Sequence, residues 1–301
     1  MIDEWLARYR INSHTDLIQA KREIMQEIAL AGLARGKFFE KATFYGGSAL
    51  RIFHGLERYS EDLDFSLNYI DEGFTLEKYL PYIKEEFVLL GLDVELSIKE
   101  KHVDSSVESA FLKENTFWGT LYLSGDAIRA TNLARLKIKI EIDRTPPLLF
   151  EREQLLLTRP YTFYVACMTL ESLFAGKMHA VLFRDWKSRV KGRDWYDLEW
   201  YIKKGVPLNL PMLLDRAINS GHLPRKQRAL SMEDFKKMLF DKIDHLNFER
   251  AKNDIMPFIS NLHNLEIWSS QYFTDLASHL KYIVYAKFHP SIWGNLQGNC
   301  L

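Results

Sequence analysis

Two short segments in the first half of the chain alternate strictly between apolar and polar residues. In residues 62–67 three apolar side chains alternate with Asp62, Asp64 and a serine, and in residues 136–143 four apolar side chains alternate with polar ones that end at Asp143. Because successive side chains of a strand point to opposite faces, this pattern predicts two strands with one core face and one polar face. The chain must therefore build a sheet that leaves one face partly acidic.

The remaining hydrophobic pattern divides the chain into two parts. Strands and helices mix up to residue 165, whereas the pattern from residue 169 onward is helical. We therefore predict an α+β fold with a mixed sheet flanked by helices (domain 1–165), followed by a mainly helical C-terminal domain (166–301). The predicted helices are 15–35, 46–55, 76–90, 169–184, 194–203, 211–219, 231–242, 248–262 and 270–286, and the predicted strands are 42–45, 62–67, 94–98, 116–123 and 136–143.

Composition narrows the class of protein. With 301 residues, 47% hydrophobic and 27% charged, the chain suits two globular domains. The formal net charge is zero, so a nucleic-acid partner must be held by a local basic patch. The two cysteines, Cys167 and Cys300, lack zinc-site spacing, and neither a secretory signal nor a membrane span is evident. These features predict a cytoplasmic protein.

The acidic strand positions suggest a metal site. Asp62 and Asp64 are two residues apart and so share one face of a strand, and Asp143 ends a strand whose polar face also carries Glu141. Two-metal phosphoryl chemistry needs several convergent carboxylates, and Mg²⁺ or Mn²⁺ prefers oxygen ligands. We take Asp62, Asp64 and Asp143 as the candidate metal ligands and leave the participation of Glu141 open.

A glycine turn precedes the first of these strands. Gly46, Gly47 and Ser48 open a predicted helix, where backbone N–H groups and the helix dipole favour a phosphate. Taken singly, each feature has an ordinary explanation: a Gly-Gly pair is usually a turn, and an Asp-x-Asp strand is usually a solvated face. Their order and spacing favour a nucleotide site.

Four motifs resemble those of the AbiEii/AbiGii toxin family of nucleotidyltransferases. The first joins the residue 46–51 string GGSALR to the residue 58–65 string RYSEDLDF. The others are Ile142-Asp143, Lys177 on a predicted helix, and the residue 193–198 string RDWYDL. The resemblance covers about half of the chain directly, and it implies a DNA-polymerase-β-like domain followed by a helical domain.

The resemblance also implies roles for individual residues. Nucleoside monophosphate would be transferred from an NTP to an acceptor, most plausibly an RNA such as the tRNA 3′ end, by a toxin that an antitoxin restrains. The implied catalytic residues are Asp62, Asp64, Asp143, Lys177 and Asp194, and the implied nucleotide-binding residues are Gly46, Gly47, Ser48, Arg58 and Ser60.

A basic segment lies between the third and fourth motifs. We predict that Lys187, Arg189, Lys191 and Arg193 bind the acceptor, although an ordinary solvated connection has similar composition. Lys177 and Arg184 are seven residues apart and should share a helix face. Asp194 stands where a helix N-cap would stand, which is an alternative role, and the role of Asp197 is left open.

Two other functions stay possible at this point. The same metal site could transfer a nucleotide to a protein or a small molecule, since the carboxylates do not identify the acceptor. A non-catalytic module that only binds NTP is the second alternative. Binding alone does not require three carboxylates, so Asp62, Asp64 and Asp143 argue against it.

Overall fold

The computed structural model describes residues 2–99, 116–124, 137–144, 146, 149–184, 190–225 and 230–283. Within these residues a seven-stranded mixed sheet forms the centre of the N-terminal half, in the order β3-β4-β5-β2-β1-β7-β6. Its strands are β1 (Ala42–Tyr45), β2 (Asp62–Leu67), β3 (Asp93–Lys99), β4 (Thr116–Ser124), β5 (Lys137–Asp143), β6 (Arg152–Leu157) and β7 (Phe163–Met168).

Helices cover the sheet and build the second half. A short parallel pair, β8 (Leu208–Asn209) and β9 (Tyr282–Ile283), joins two parts of that half. The helices are α1 (Ile2–Leu6), α2 (His14–Arg35), α3 (Gly46–His54), α4 (Leu80–Leu89), α5 (Leu170–Phe183), α6 (Gly192–Lys204), α7 (Leu210–Asn219), α8 (Met232–Asp244), α9 (Phe248–Ile255) and α10 (Ser270–Ser278).

The long helix α2 packs on the apolar face of the sheet. It begins after Ser13, whose Oγ accepts a hydrogen bond from the Asp16 N–H at 3.1 Å, and it ends before Gly36. Gly32 lets α4 approach closely, since a Cβ there would lie 2.5 Å from the Cα of Ile83. The alternation of β2 and β5 thus places their apolar side chains against α2 and their polar side chains on the opposite face.

Two hydrophobic clusters form the interior. The first lies between the sheet, α2 and α4, and the second lies among the helices that follow β7. Helix α3 joins them, because Ala49 belongs to the first cluster and Leu50 to the second. The predicted division between residues 165 and 166 falls inside β7 and stays a prediction.

The α+β fold class is confirmed, but several predicted elements differ. The predicted helix 248–262 ends as α9 at Ile255, just before a 3-10 turn containing Pro257, which has no N–H to donate. The predicted helix 270–286 ends at Ser278 and is followed by β9. Strands β6 and β7 were not predicted, because the mostly buried run of β7 shows no alternation.

No helix within the described ranges is both long and apolar enough to cross a bilayer. Cys167 lies buried in β7, and Cys300 falls outside the described residues.

Candidate active site

The polar face of the sheet gathers acidic side chains around Asp64. In the register, Asp64 lies directly opposite Tyr45 of β1 on one side and Glu141 of β5 on the other. Asp62 lies two residues earlier on the same face, opposite Lys139. Sequence alternation therefore brings Asp62 and Asp64 together as predicted, with a carboxylate from the neighbouring strand beside them.

Burial and mutual repulsion perturb this acidic group. Burial, then the charges of Glu141 and Asp62, raise the pKa of Asp64 to about 8. The pKa of Asp62 is also raised, chiefly by burial, although Lys139 opposes the shift. Burial raises the pKa of Glu141 despite an ion pair with Lys139 at 2.6 Å. Such a group of enclosed carboxylates has a deficit of positive charge that a divalent cation would supply.

The register distinguishes the two candidates for a third carboxylate. Glu141 is the direct neighbour of Asp64, whereas Asp143 lies two pairs further along, opposite Ser66. Both lie on the polar face, because they are two residues apart on β5. The assignment of Asp143 as a metal ligand stays a prediction. The register makes Glu141 a second candidate for the same role.

The two glycines before α3 are required by the groups that surround them. Gly46 has a φ of +83°, and a Cβ on it would lie 2.3 Å from Oδ2 of Asp64. A Cβ on Gly47 would lie 2.6 Å from Nη2 of Arg58 and 3.0 Å from Oγ of Ser60. Both glycines thus let the start of α3 approach the acidic strand and the buried arginine.

Ser48 forms a buried hydrogen bond to β2, the strand that carries Asp62 and Asp64. Its fully buried hydroxyl donates a hydrogen bond to the backbone carbonyl of Asp62. Gln26 of α2 donates to Ser48 Oγ at 3.4 Å and to the carbonyl of Ser60 at 3.1 Å. The predicted phosphate contact of the Ser48 hydroxyl therefore competes with a structural bond and stays a prediction.

A buried ion-pair network faces the acidic strand from the helical half. Lys177 Nζ lies 2.7 Å from Asp194 Oδ1 and 2.8 Å from Asp197 Oδ2. Arg58 donates two hydrogen bonds to Asp197, from Nε to Oδ1 at 2.5 Å and from Nη2 to Oδ2 at 2.6 Å. Arg184 Nη1 lies 3.2 Å from Asp194 Oδ2. Arg184 follows the last residue of α5 and has an extended backbone, so the predicted helix face shared with Lys177 does not form, although both cations contact Asp194.

These contacts hold both aspartates ionised. Burial alone would raise the pKa of Asp194, but Lys177, Arg184 and Lys191 lower it far below its usual range. The pKa of Asp197 is likewise lowered, since Arg58 and Lys177 outweigh the effect of burial. The alternative role of Asp194 as a helix N-cap is wrong: α6 begins at Gly192, Lys191 is its N-cap residue, and Asp194 lies within the first turn.

The predicted acceptor-binding residues are only partly described. Lys187 and Arg189 lie outside the described residues. Burial, together with the neighbouring Arg184 and Lys177, lowers the pKa of Lys191 to about 8 despite the opposing charge of Asp194. Its charge also acts on Asp62 and Asp64, so Lys191 lies near the acidic group. Arg193 packs over the Phe258 ring and lies 3.5 Å from Glu61.

A family model described as nucleotidyl transferase AbiEii toxin, type IV TA system, matches residues 28–275. That span contains every predicted site residue. The chain belongs to the AbiEii family. It is therefore a nucleotidyltransferase of a toxin family from type IV toxin-antitoxin systems.

Two solved structures resemble this AbiEii protein at low identity. JHP933 from Helicobacter pylori has 16% identity and a TM-score of 0.48, over 86% of this chain and 90% of that one. A second H. pylori protein, provisionally described as a nucleotidyltransferase, has 17% identity and a TM-score of 0.46, over 88% of this chain and 94% of that one. Curated proteins provide no match.

The carboxylates of the AbiEii site fit a divalent metal ion. Within the part of the chain that the structure describes, no three His, Cys, Asp or Glu side chains are already arranged as a metal cage. Mg²⁺ does not need one, since it commonly binds through one or two carboxylates together with substrate phosphates and water. The oxygen donors Asp62, Asp64 and Glu141, with their raised pKa values, suit such a hard cation.

Proposed function

We propose that this AbiEii protein is a metal-dependent enzyme of the cytoplasm that transfers a nucleoside monophosphate from an NTP to the 3′ end of an RNA, such as a tRNA. It would act as the toxin of a toxin-antitoxin pair and be restrained by a cognate antitoxin protein. One observation carries the proposal: Asp62, Asp64 and Glu141 lie half-buried together on one face of the sheet, where the charges of Lys177 and Lys191 act on Asp64.

The residues would divide the work between the two halves. Asp62 and Asp64, with Glu141 or Asp143, would hold Mg²⁺ or Mn²⁺, which neutralises charge on the triphosphate when bound. The N–H groups at Gly46 and Gly47 would receive phosphate oxygens at the start of α3. Arg58 and Ser60 adjoin that turn, which supports their predicted place near the nucleotide.

The cation network would keep the helical half in position. Lys177 is held between Asp194 and Asp197 with its side chain 16% exposed, so its charge is fixed in place at the edge of the site. Preorganised charge of this kind stabilises the negative charge that develops in phosphoryl transfer. We therefore keep Lys177 and Asp194 as catalytic candidates.

The reaction balances without a further reagent. The 3′-hydroxyl oxygen of the acceptor forms a bond to the α-phosphorus, and the bond from that phosphorus to the leaving oxygen breaks. Pyrophosphate leaves, and the hydroxyl proton passes to a carboxylate of the site.

An acceptor screen tests this function. Purified protein is incubated with each α-labelled NTP, Mg²⁺ or Mn²⁺, and either total RNA or total protein. Labelled RNA supports the proposal. Label found only in protein or in a small molecule would reject the RNA acceptor and leave the nucleotidyltransferase chemistry intact. NTP binding without any labelled product would favour a regulatory module.

A charge variant tests where the RNA binds. Replacing Lys187, Arg189 and Lys191 together by Ala should raise the KM for RNA more than the KM for NTP, because cations bind RNA phosphates through a salt-dependent term. The triple variant should also show a shallower dependence of transfer on salt. The single Lys191→Ala variant is the necessary control, since Lys191 also lies near the acidic group. Equal salt slopes would place the RNA elsewhere.

A further inference from the structure

Arg216, in the last turn of α7, lies next to the part of α5 that carries Lys177. Its Nη1 would be 3.7 Å from a Cβ placed on Gly176, the residue directly before Lys177. The guanidinium therefore passes beside the α5 backbone at a position where glycine leaves room for it. No motif in the sequence singles out this arginine.

Among the residues that the structure describes, Arg216 differs from Arg58, Lys177 and Arg184 in having no ion-pair partner. Arg58, Lys177 and Arg184 each pair with a carboxylate. Arg216 is half-buried, and its Nε atom is buried and makes no hydrogen bond to any described residue. Buried polar groups in folded proteins are normally satisfied, so an unpaired cation of this kind points to a missing anion.

Packing brings α7 to the end of β1, because Tyr45 packs against the hydrophobic cluster that contains Met212 and Leu213, one turn before Arg216. Burial, followed by the charges of Asp64 and Asp143, raises the pKa of the Tyr45 hydroxyl well above its usual value, and Arg216 opposes that shift. Tyr45 lies opposite Asp64 in the register and directly precedes the Gly46-Gly47 turn. Arg216 thus approaches, from the helical half, the end of β1 at which the phosphate turn begins.

We propose that Arg216 binds a phosphoryl oxygen of the NTP triphosphate and so closes the nucleotide site from the helical half. This inference rests on the proposed function, because it assumes that an NTP occupies the site. The NTP is favoured over an acceptor phosphate because Tyr45, which packs against the cluster that α7 helps to form, leads directly into Gly46 and Gly47. A planar guanidinium suits two-point recognition of phosphate oxygens.

Calorimetric titration with each NTP and Mg²⁺, in the absence of any acceptor, tests the inference. Arg216→Gln should weaken binding of the preferred NTP by about tenfold to a hundredfold, the range for a hydrogen bond to a charged group. Arg216→Lys, which keeps the charge but not the fork, should give an intermediate Kd. Binding of the matching nucleoside, which has no phosphate, should not change.

The matched control is Arg250→Gln, which removes an exposed arginine from α9 and should leave NTP binding unchanged. Circular dichroism verifies the fold of each variant, and if Arg216→Gln does not fold, Arg216→Lys decides. An unchanged Kd for NTP, or a raised KM for RNA with unchanged NTP binding, would overturn the inference alone. If the wild-type protein binds neither NTP nor tripolyphosphate, both the inference and the proposed function fail. If binding depends on Arg216 but no acceptor is ever labelled, only the proposed transfer fails.

Discussion

Arg58, from the segment before β2, and Asp197, from α6, form a buried two-point ion pair that joins the two halves of the chain. The pair is almost inaccessible, with side-chain exposures of 3% and 0%. Lys177 contacts the same aspartate at 2.8 Å. The Asp197 carboxylate of α6 is therefore bound both to the loop before β2 and to α5. The position of the helical half relative to the acidic strand therefore depends on this pair.

Removing Arg58 should strongly destabilise the protein. Arg58→Ala leaves the buried Asp197 with only Lys177, and breaking a buried pair from one side costs about 3–5 kcal/mol of the free energy of unfolding. Urea denaturation measures this loss. The control is Glu249→Ala, which breaks an exposed pair with Lys252 on α9 and should cost less than about 1 kcal/mol. Equal losses in the two variants would mean that the pair does not hold the halves together.

The stability of the protein should fall in acid through the aspartates of this network. The pKa of Asp194 and that of Asp197 are lower in the folded protein than in the unfolded chain. Their contribution is therefore fully present above the unfolded value of about 4 and is lost as the pH falls below it. Urea midpoints between pH 6 and pH 3 should decline less steeply for Asp194→Asn than for the wild type. Parallel curves for the two proteins would contradict the assignment.

Asp64 should cost stability in the metal-free protein. Its folded pKa of about 8 is above the unfolded value, so at pH 7 folding must return a proton to a carboxyl that the unfolded chain has already ionised. Asp64→Asn removes this cost and should raise the free energy of unfolding by about 1 kcal/mol or more. The exposed substitution Glu72→Gln should change it by less than about 0.5 kcal/mol.

The same variant provides a test of metal binding that needs no activity. Mg²⁺ or Mn²⁺ should raise the Tm of the wild type, because a ligand that binds only the folded state stabilises it, and the shift should be lost in Asp64→Asn. A destabilised Asp64→Asn, or one that keeps the full metal-dependent shift, would count against the acidic site.

The third carboxylate can be identified by comparing two neutral isosteres. Since Glu141 is the direct neighbour of Asp64 and Asp143 lies two pairs further along, Glu141→Gln should lower kcat by more than about a hundredfold and Asp143→Asn by less. Steady-state kinetics with saturating Mg²⁺ measures both. A larger loss of kcat in Asp143→Asn than in Glu141→Gln would support Asp143 as the third metal ligand, as the sequence predicts.

Much of the fold could be predicted because local patterns specify it. The alternation in β2 and β5 predicted those strands and the face on which each side chain lies, and the hydrophobic pattern of residues 15–35 predicted α2. Strand β7 could not be recognised in this way, because a mostly buried strand has no polar alternation.

The site residues, too, could be predicted only where a local sequence pattern or the family resemblance specifies them. Spacing alone pairs Asp62 with Asp64, and the resemblance to the AbiEii family supplied Lys177 and Asp194. Strand register places Glu141 directly beside Asp64, which the sequence could not show, because alternation gives only the face and not the pairing partner. The place of Arg216 depends on how α7 packs against α5, for which no local pattern exists.

Mapping the 3′ end of the RNA product tests most directly whether the site formed by Asp62 and Asp64 adds nucleotides to RNA 3′ ends. Purified tRNA is incubated with protein, the preferred NTP and Mg²⁺, pyrophosphate is measured, and the new 3′ terminus is sequenced. The wild type should release one pyrophosphate for each nucleotide added to the 3′ end, and Asp64→Asn should form neither product. Equal products from Asp64→Asn, or no added nucleotide with the wild type under any metal and NTP, would contradict it.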